Sequence, residues 1–191
     1  MLRFLALLFN GHAPAPPGLL SAAAPVNTSP GKARGMTGDD LDDKTTRERL
    51  RLLAIDEEDL AVVSAHLQDA AVRVGDMAWL PRERRFALLA ARFDWLAPSC
   101  ARCRTGLHFE DVTRASVSGF TPGEADRVLN LLSIGFAPGE APAGTIILTF
   151  SGGAAVRLEV DCLEAQMRDL GPRWAAQHRP GHRLDDEPET T

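Results

Sequence analysis

The stretch that decides the fold is residues 145–170, T-I-I-L-T-F-S-G-G-A-A-V-R-L-E-V-D-C-L-E-A-Q-M-R-D-L. Apolar residues occupy alternate positions before the two glycines and again after them, a period of two that is typical of strands with one buried face. The stretch therefore predicts an antiparallel β-hairpin. Its expected buried positions are Ile146, Leu148, Phe150, Ala154, Val156, Leu158 and Val160.

The length of the hairpin loop follows from which residues must face each other. A two-residue loop would pair Leu148 with Arg157, because a slip of one residue turns every side chain to the other face. A three-residue loop over residues 151–153 (Ser-Gly-Gly) pairs Leu148 with Val156 instead. Such loops commonly end with a residue at positive φ, where glycine is favoured. We therefore predict the three-residue loop, with Gly153 at positive φ.

The residues after the hairpin predict a C-terminal helix. Asp161 can cap it, and Glu164, three residues later, can complete a capping box. Residues 171–172 (Gly-Pro) would end it. The apolar stripe at helical spacing comprises Leu163, Met167 and Leu170.

The middle of the chain adds further strands and a second helix. Residues 50–55 predict a short strand, and Asp56 is the expected N-cap of an N-terminal helix. Within residues 72–95 the apolar parity switches in two successive strands, which is how a β-bulge appears in sequence. Further strands are expected over residues 107–117 and 129–136. The sequence thus predicts an α+β fold: a strongly bent antiparallel β-sheet or small β-barrel of five to seven strands, with one N-terminal and one C-terminal helix.

Composition divides the chain into a domain and flanking segments. Its 191 residues, 45% hydrophobic and 25% charged, suit one globular domain. We expect a disordered or mis-started extension over residues 1–35, with Met36 as the natural start, and a charged lead-in over residues 36–49. The α+β domain is expected over residues 50–172, followed by a disordered tail over residues 173–191.

Charge and hydropathy argue against several classes of partner. The net charge of −5 gives no overall attraction to nucleic acid or to an anionic membrane. No apolar run approaches the 18 residues of a membrane-spanning helix. We expect a cytoplasmic protein. The alternative is export, with residues 1–24 acting as a signal peptide.

Cys100 and Cys103 have the spacing of a metal or redox pair. A structural zinc site needs four ligands, and no second matched pair is found in the sequence. We interpret the two cysteines as exposed thiols in a hairpin loop, with zinc binding or redox chemistry as the alternatives. We expect no cofactor.

Arginines are concentrated between residues 72 and 114. Guanidinium groups hold phosphate or carboxylate by bidentate contacts, although outward-facing charges on a sheet have the same appearance in sequence. The positions are Arg73, Arg82, Arg84, Arg85, Arg92, Arg102, Arg104 and Arg114. The residues predicted to hold an anionic ligand are Arg85, Arg92, Arg104 and His108.

Three motifs carry a family resemblance: H-L-Q-D-A at residues 66–70, R-T-G-L-H-F at residues 104–109 and R-D-L-G-P at residues 168–172. With the segments between them, they resemble an uncharacterised bacterial (proteobacterial) family classed as a domain of unknown function. The resemblance covers residues 50–172. It implies no substrate, cofactor or catalytic residue.

The sequence predicts a binding or protein-interaction module rather than an enzyme, because no catalytic constellation is found. A protein partner or a second copy of the chain would bind through a sheet face or a sheet edge. The alternative is a small-molecule sensor or small enzyme that holds an anionic ligand with the arginines. A deep pocket lined by Arg85, Arg92, Arg104 or His108 favours the alternative, and a flat face or exposed edge favours the module.

Overall fold

A computed structural model describes residues 49–95, 97 and 100–176. Within these residues the chain forms nine β-strands and one α-helix. In chain order they are β1 (Arg51–Ala54), α1 (Glu57–Leu67), β2 (Ala70–Leu80), β3 (Arg85–Phe93), β4 (Ala101–Phe109), β5 (Val112–Ser118), β6 (Val128–Pro138), β7 (Gly144–Phe150), β8 (Ala155–Val160) and β9 (Ala165–Ala175).

All nine strands belong to one antiparallel sheet in the order β1-β9-β4-β3-β2-β6-β7-β8-β5. The antiparallel arrangement is confirmed, but the predicted α+β class is wrong in its number of strands, in its barrel alternative and in its C-terminal helix. The sheet has nine strands rather than five to seven. It is not closed into a barrel, because β1 and β5 remain as its two edges.

The predicted C-terminal helix is also wrong, because this segment forms strand β9. Ala165, Met167 and Asp169 are buried at alternate positions, as a strand requires. The strand pairs with β1 on one side and with β4 on the other. The apolar stripe at helical spacing was a local coincidence that pairing with distant strands overrides.

The N-terminal helix is confirmed. The side chain of Asp56 accepts a hydrogen bond from the backbone N–H of Asp59 at 2.8 Å, which caps α1 as predicted. The Ser64 hydroxyl on α1 accepts a hydrogen bond from the N–H of Ile134 on β6 at 2.8 Å. This bond fixes the helix against the sheet. The buried side chains of the helix are Leu60, Val63 and Leu67.

The single strand expected over residues 107–117 is divided in two by Glu110 and Asp111. Asp111 has φ +52°, a left-handed conformation that ends β4. The chain then enters β5, which pairs with β8 at the far edge of the sheet. The expected parity switch in β2 is confirmed by a register shift between Val72 and Met77, whereas the pairing of β3 with β4 is continuous.

One face of the sheet carries the hydrophobic core, and we call it the inner face. Leu88, Leu107 and Met167 lie side by side across β3, β4 and β9, and α1 buries its apolar residues in the same cluster. The positions between them alternate to the opposite side, which we call the outer face. Ala87, His108 and Gln166 occupy one row of that outer face.

The expected extension over residues 1–35 and almost all of the lead-in over residues 36–49 lie outside the described residues, as do residues 177–191 of the expected tail. Strand β9 extends through Ala175. Within the described part of the chain, no helix has the length and apolar character needed to cross a membrane.

Candidate functional site

The four residues predicted to bind an anion do not converge on one site. Arg92 lies opposite Cys103 on the inner face, whereas Ala91, its neighbour, lies opposite Arg104 on the outer face. His108 also occupies the outer face, and Arg85 lies at the start of β3 beside it. The pairing of β3 with β4 therefore separates Arg92 from the other three residues.

On the inner face, Asp169 is the acceptor of a buried polar network. Arg92 donates to its carboxylate through Nε at 2.9 Å and through Nη2 at 2.8 Å. The Thr105 hydroxyl donates at 2.8 Å, the Cys103 thiol at 3.3 Å and the backbone N–H of Leu50 at 3.2 Å. Arg92 and Asp169 are each only 2% exposed, so the bidentate pair is isolated from solvent.

The electrostatics of Asp169 follow from these contacts. Burial alone would raise its pKa, but the hydrogen bonds from Arg92 and Thr105 outweigh burial and lower the pKa to about 2. The carboxylate is therefore ionised at neutral pH. Its negative charge balances the cation that donates to it.

A second ion pair extends the same network. Arg173 donates through Nε to the buried carboxylate of Asp94 at 2.6 Å, and Asp94 lies 3.9 Å from Nη1 of Arg92. Two cations and two anions thus alternate in the series of contacts Arg173–Asp94–Arg92–Asp169. Since the guanidinium of Arg92 already contacts two carboxylates of the chain itself, this geometry adds no support to the prediction that it holds a ligand.

On the outer face, Arg85 and His108 share the carboxylate of Glu110. Arg85 Nε donates to it at 2.8 Å, and His108 Nε2 lies 3.2 Å from the same oxygen. Burial, followed by the charge of Arg85, lowers the pKa of His108 to about 4. The imidazole is therefore neutral at pH 7, so its contact with Glu110 is not an ion pair.

A cluster of cations occupies the outer face beyond this group. Arg51 on β1 lies directly opposite Arg168 on β9, and Arg168 lies opposite Gly106 on β4. Arg104 is two residues before Gly106 and therefore on the same face. Arg51 and Arg104 are exposed, and Arg168 is half-buried. We call Arg51, Arg104 and Arg168 the outer basic patch.

Sequence reasoning identified Arg104 but missed Arg51 and Arg168. Residue 168 was placed on a helix, and Arg51 gains its neighbour only through the pairing of β1 with β9. The signal that could have found Arg168 is the alternation of Ala165, Met167 and Asp169, which would place Arg168 on the outer face of a strand.

The two cysteines of the predicted loop have different environments. Cys100 is exposed, but Cys103 is buried within β4, so the interpretation of both as exposed loop thiols is wrong. Burial raises the pKa of the Cys103 thiol to about 11, which keeps it protonated and unreactive at neutral pH. Among the described residues, no group of three or more His, Cys, Asp or Glu side chains is placed to hold a metal ion.

A shallow, open depression of about 660 Å³ lies at the start of α1. Acidic side chains dominate its lining, and none of the four residues predicted to bind an anion contributes to it. It is therefore no site for the anionic ligand that the sequence suggested. The lining residues are Asp56, Glu57, Glu58 and Ala61.

One of three comparisons with known proteins found a match, to a protein family. Residues 50–182 match the family described as "Protein of unknown function (DUF2948)", which confirms the resemblance to a domain-of-unknown-function family. A search of curated proteins found no match, and a search of solved structures found none either.

Proposed function

We propose that this chain, which belongs to the family described as "Protein of unknown function (DUF2948)", is a binding module that holds an anionic group of its partner on the outer basic patch. The observation that carries the proposal is the direct pairing of Arg51 with Arg168 across β1 and β9. Arg104 adds a third cation on the same face.

The physical argument starts from the cross-strand pair. Side chains directly opposite on neighbouring antiparallel strands have Cβ atoms roughly 5 Å apart, close enough for both guanidinium groups to reach one anion. A bound carboxylate or phosphate accepts bidentate hydrogen bonds from guanidinium groups. The arrangement of Arg51 and Arg168 is therefore suited to an anion.

The contrast between the two faces supports a binding role over a catalytic one. The charges of the inner face, Arg92 and Asp169, are buried and bind each other. Arg51 and Arg104 are exposed at the surface of the sheet. The predicted arginines are divided between two faces, as expected of a module and not of a sensor or enzyme with one deep pocket. The free thiols of all three cysteines suit the cytoplasm, the location that we propose.

The proposal is tested by titrating the full-length, ¹⁵N-labelled protein with inorganic phosphate at constant ionic strength. The amides of Arg51, Gly106 and Arg168 should shift together with one apparent dissociation constant. Substituting Arg51→Gln together with Arg104→Gln should weaken phosphate binding at least about tenfold, since two of three cationic partners are lost.

Arg114 on β5 provides the matched control, because it is exposed and lies 3.9 Å from Glu159. The Arg114→Gln variant should bind phosphate as the wild type does. Shifts of equal size around Arg114 and around the outer basic patch would mean that phosphate binds any surface arginine, and the proposal would then be wrong.

A further inference from the structure

We propose that the partner is an acidic, extended peptide segment that binds as an additional antiparallel strand beside β1, with its acidic side chains against the outer basic patch. The inference rests on the proposed function and names the class of partner. Addition of a strand to a sheet edge takes its affinity from backbone hydrogen bonds and its specificity from alternate side chains.

Strand β1 offers an edge with backbone groups directed outward. It is the first strand in the sheet order, and among the strands that the structure describes it pairs with β9 alone. The N–H of Asp169 donates to the carbonyl of Leu50 at 3.0 Å, so Leu52 and Ala54, in alternation with Leu50, direct their backbone groups to β9. The backbone N–H and C=O groups of Arg51 and Leu53 are therefore turned toward the open edge.

The side chains along this edge specify the chemistry of the added strand. Leu53 and Ile55 are large apolar residues that are 54% and 63% exposed. Leu53 shares the outer face with Arg51, in alternation along β1. A strand beside β1 would cover Leu53 with an apolar residue and place an acidic residue two positions away, next to Arg51.

The start of α1 determines the order of apolar and acidic residues in the partner peptide. Glu57, Glu58 and Asp59 form the acidic first turn of the helix, close to Ile55. The N–H of Ile55 is already directed at the Asp59 carboxylate, at 3.5 Å. Acidic residues of the partner are therefore repelled from the Ile55 end and attracted to the Arg51 end. An antiparallel partner would carry its apolar residues first and its acidic residues after them.

The opposite edge of the sheet does not offer the same chemistry. The N–H of Val112, at the start of β5, donates to the carbonyl of Arg84 at 2.8 Å. The exposed side chains that follow are mostly polar, and Arg114 is close to Glu159. Polar and charged side chains are how natural sheets keep an edge from pairing with another strand. Among the described strands, β1 is therefore the edge suited to an acidic and apolar partner.

The test is fluorescence anisotropy with the full-length protein and a labelled peptide, Ile-Thr-Leu-Thr-Glu-Thr-Glu. We expect saturable binding with one peptide per chain. The same residues in reversed order should bind at least about tenfold more weakly, because the glutamates would then meet the acidic turn of α1. Replacing both glutamates by glutamine should weaken binding to a similar extent.

Two changes separate strand addition from contact of side chains alone. N-methylation of the peptide on alternate amides that face β1 removes backbone donors and should abolish binding, whereas N-methylation of the other amides should not. In the protein, Leu53→Pro removes the outward N–H at an edge where proline is tolerated. It should abolish binding, while Leu53→Ala, which keeps the N–H, should retain part of it. The peptide series is informative even where the proline variant folds poorly.

The outcomes distinguish this inference from the proposed function. Equal binding of both N-methylated peptides, with phosphate still binding at Arg51 and Arg168, would exclude strand addition and leave the anion site in place. If phosphate does not bind at the outer basic patch, both the proposed function and the strand-addition inference are wrong. A protein dimer that Leu53→Pro converts to a monomer would identify a second copy of the chain as the occupant of β1, and the acidic-peptide inference would be wrong.

Discussion

His108 is 3% exposed and lies on the outer face between Ala87 of β3 and Gln166 of β9. Burial, together with the positive charges of Arg85 and Arg168, lowers its pKa to about 4, while the charge of Glu164 opposes the shift. The environment of this imidazole is thus determined by residues of β3 and of residues 164–168, two segments that are distant from each other in sequence. Such a residue couples the stability of the sheet to pH.

The pH dependence of stability has a definite sign. The unfolded chain binds a proton at His108 near the ordinary pKa of 6.5, and the folded chain only near pH 4. The free energy of unfolding should therefore be highest above about pH 6.5 and should fall by up to about 3 kcal/mol as the pH decreases toward 4. Urea denaturation of the wild type and of His108→Gln at several pH values measures this loss. The variant should lose clearly less over the same interval, and parallel curves would contradict the assignment.

At the scale of elements, the β7–β8 hairpin is the part of the fold that the sequence predicts most completely. The pairs Ile146–Leu158 and Leu148–Val156 are confirmed, and so is the loop of three residues, which forms a 3-10 turn over Ser151–Gly153. Gly153 has the predicted positive φ, +73°, and Gly152 has φ +71° as well. The hairpin was predictable because its partners are close in sequence and their parity allows one register.

Substitution of Gly153 tests the conformational requirement of this turn. Gly153→Ala should destabilise the protein by about 1 kcal/mol, because a side chain disfavours positive φ. There is open space around the position, so backbone strain is the expected cause. Gly135→Ala on β6 is the matched control, since it also meets open space but has no positive φ, and it should be neutral or stabilising. Thermal unfolding measures both, and equal effects would contradict the role of φ.

Strand β9 shows why other elements could not be predicted from local pattern. Its cap and apolar spacing resembled a helix, and only β1 and β4, distant in sequence, supply the pairing that makes it a strand. The contacts of the candidate site could not be predicted from local pattern either. Arg92 was expected to face a ligand, but the carboxylate that it binds lies 77 residues later, on the misassigned β9. Arg104 is exposed on β4, and its role in ligand binding stays a prediction.

At the scale of the whole molecule, Asp169 joins strands that are distant in sequence. Its carboxylate accepts hydrogen bonds from Arg92 on β3, from Thr105 on β4 and from Leu50 next to β1. The charged network therefore ties four neighbouring strands together at one end of the core. A buried ion pair is not in itself evidence of high stability, because desolvation of the two charges opposes their attraction. What it does require is that neither charge be removed without the other.

Removal of one partner at a time tests this requirement. Asp169→Asn keeps the volume of the side chain but leaves Arg92 buried without its bidentate anion, so it should destabilise the protein by about 3–5 kcal/mol. The double variant Arg92→Met with Asp169→Leu removes both charges. Its loss of stability should be clearly smaller than the sum of the losses of its two single variants.

Urea denaturation of Arg92→Met, of Asp169→Leu and of the double variant gives the coupling energy of the pair. The exposed pair Arg114 and Glu159, at 3.9 Å, is the control, and its coupling should be below about 1 kcal/mol. The coupling of Arg92 with Asp169 should exceed that of the control severalfold, because solvent screens the exposed pair and is excluded from the buried one. Two couplings of equal size would mean that water reaches the network. Arg92 would then be accessible to a ligand from solvent.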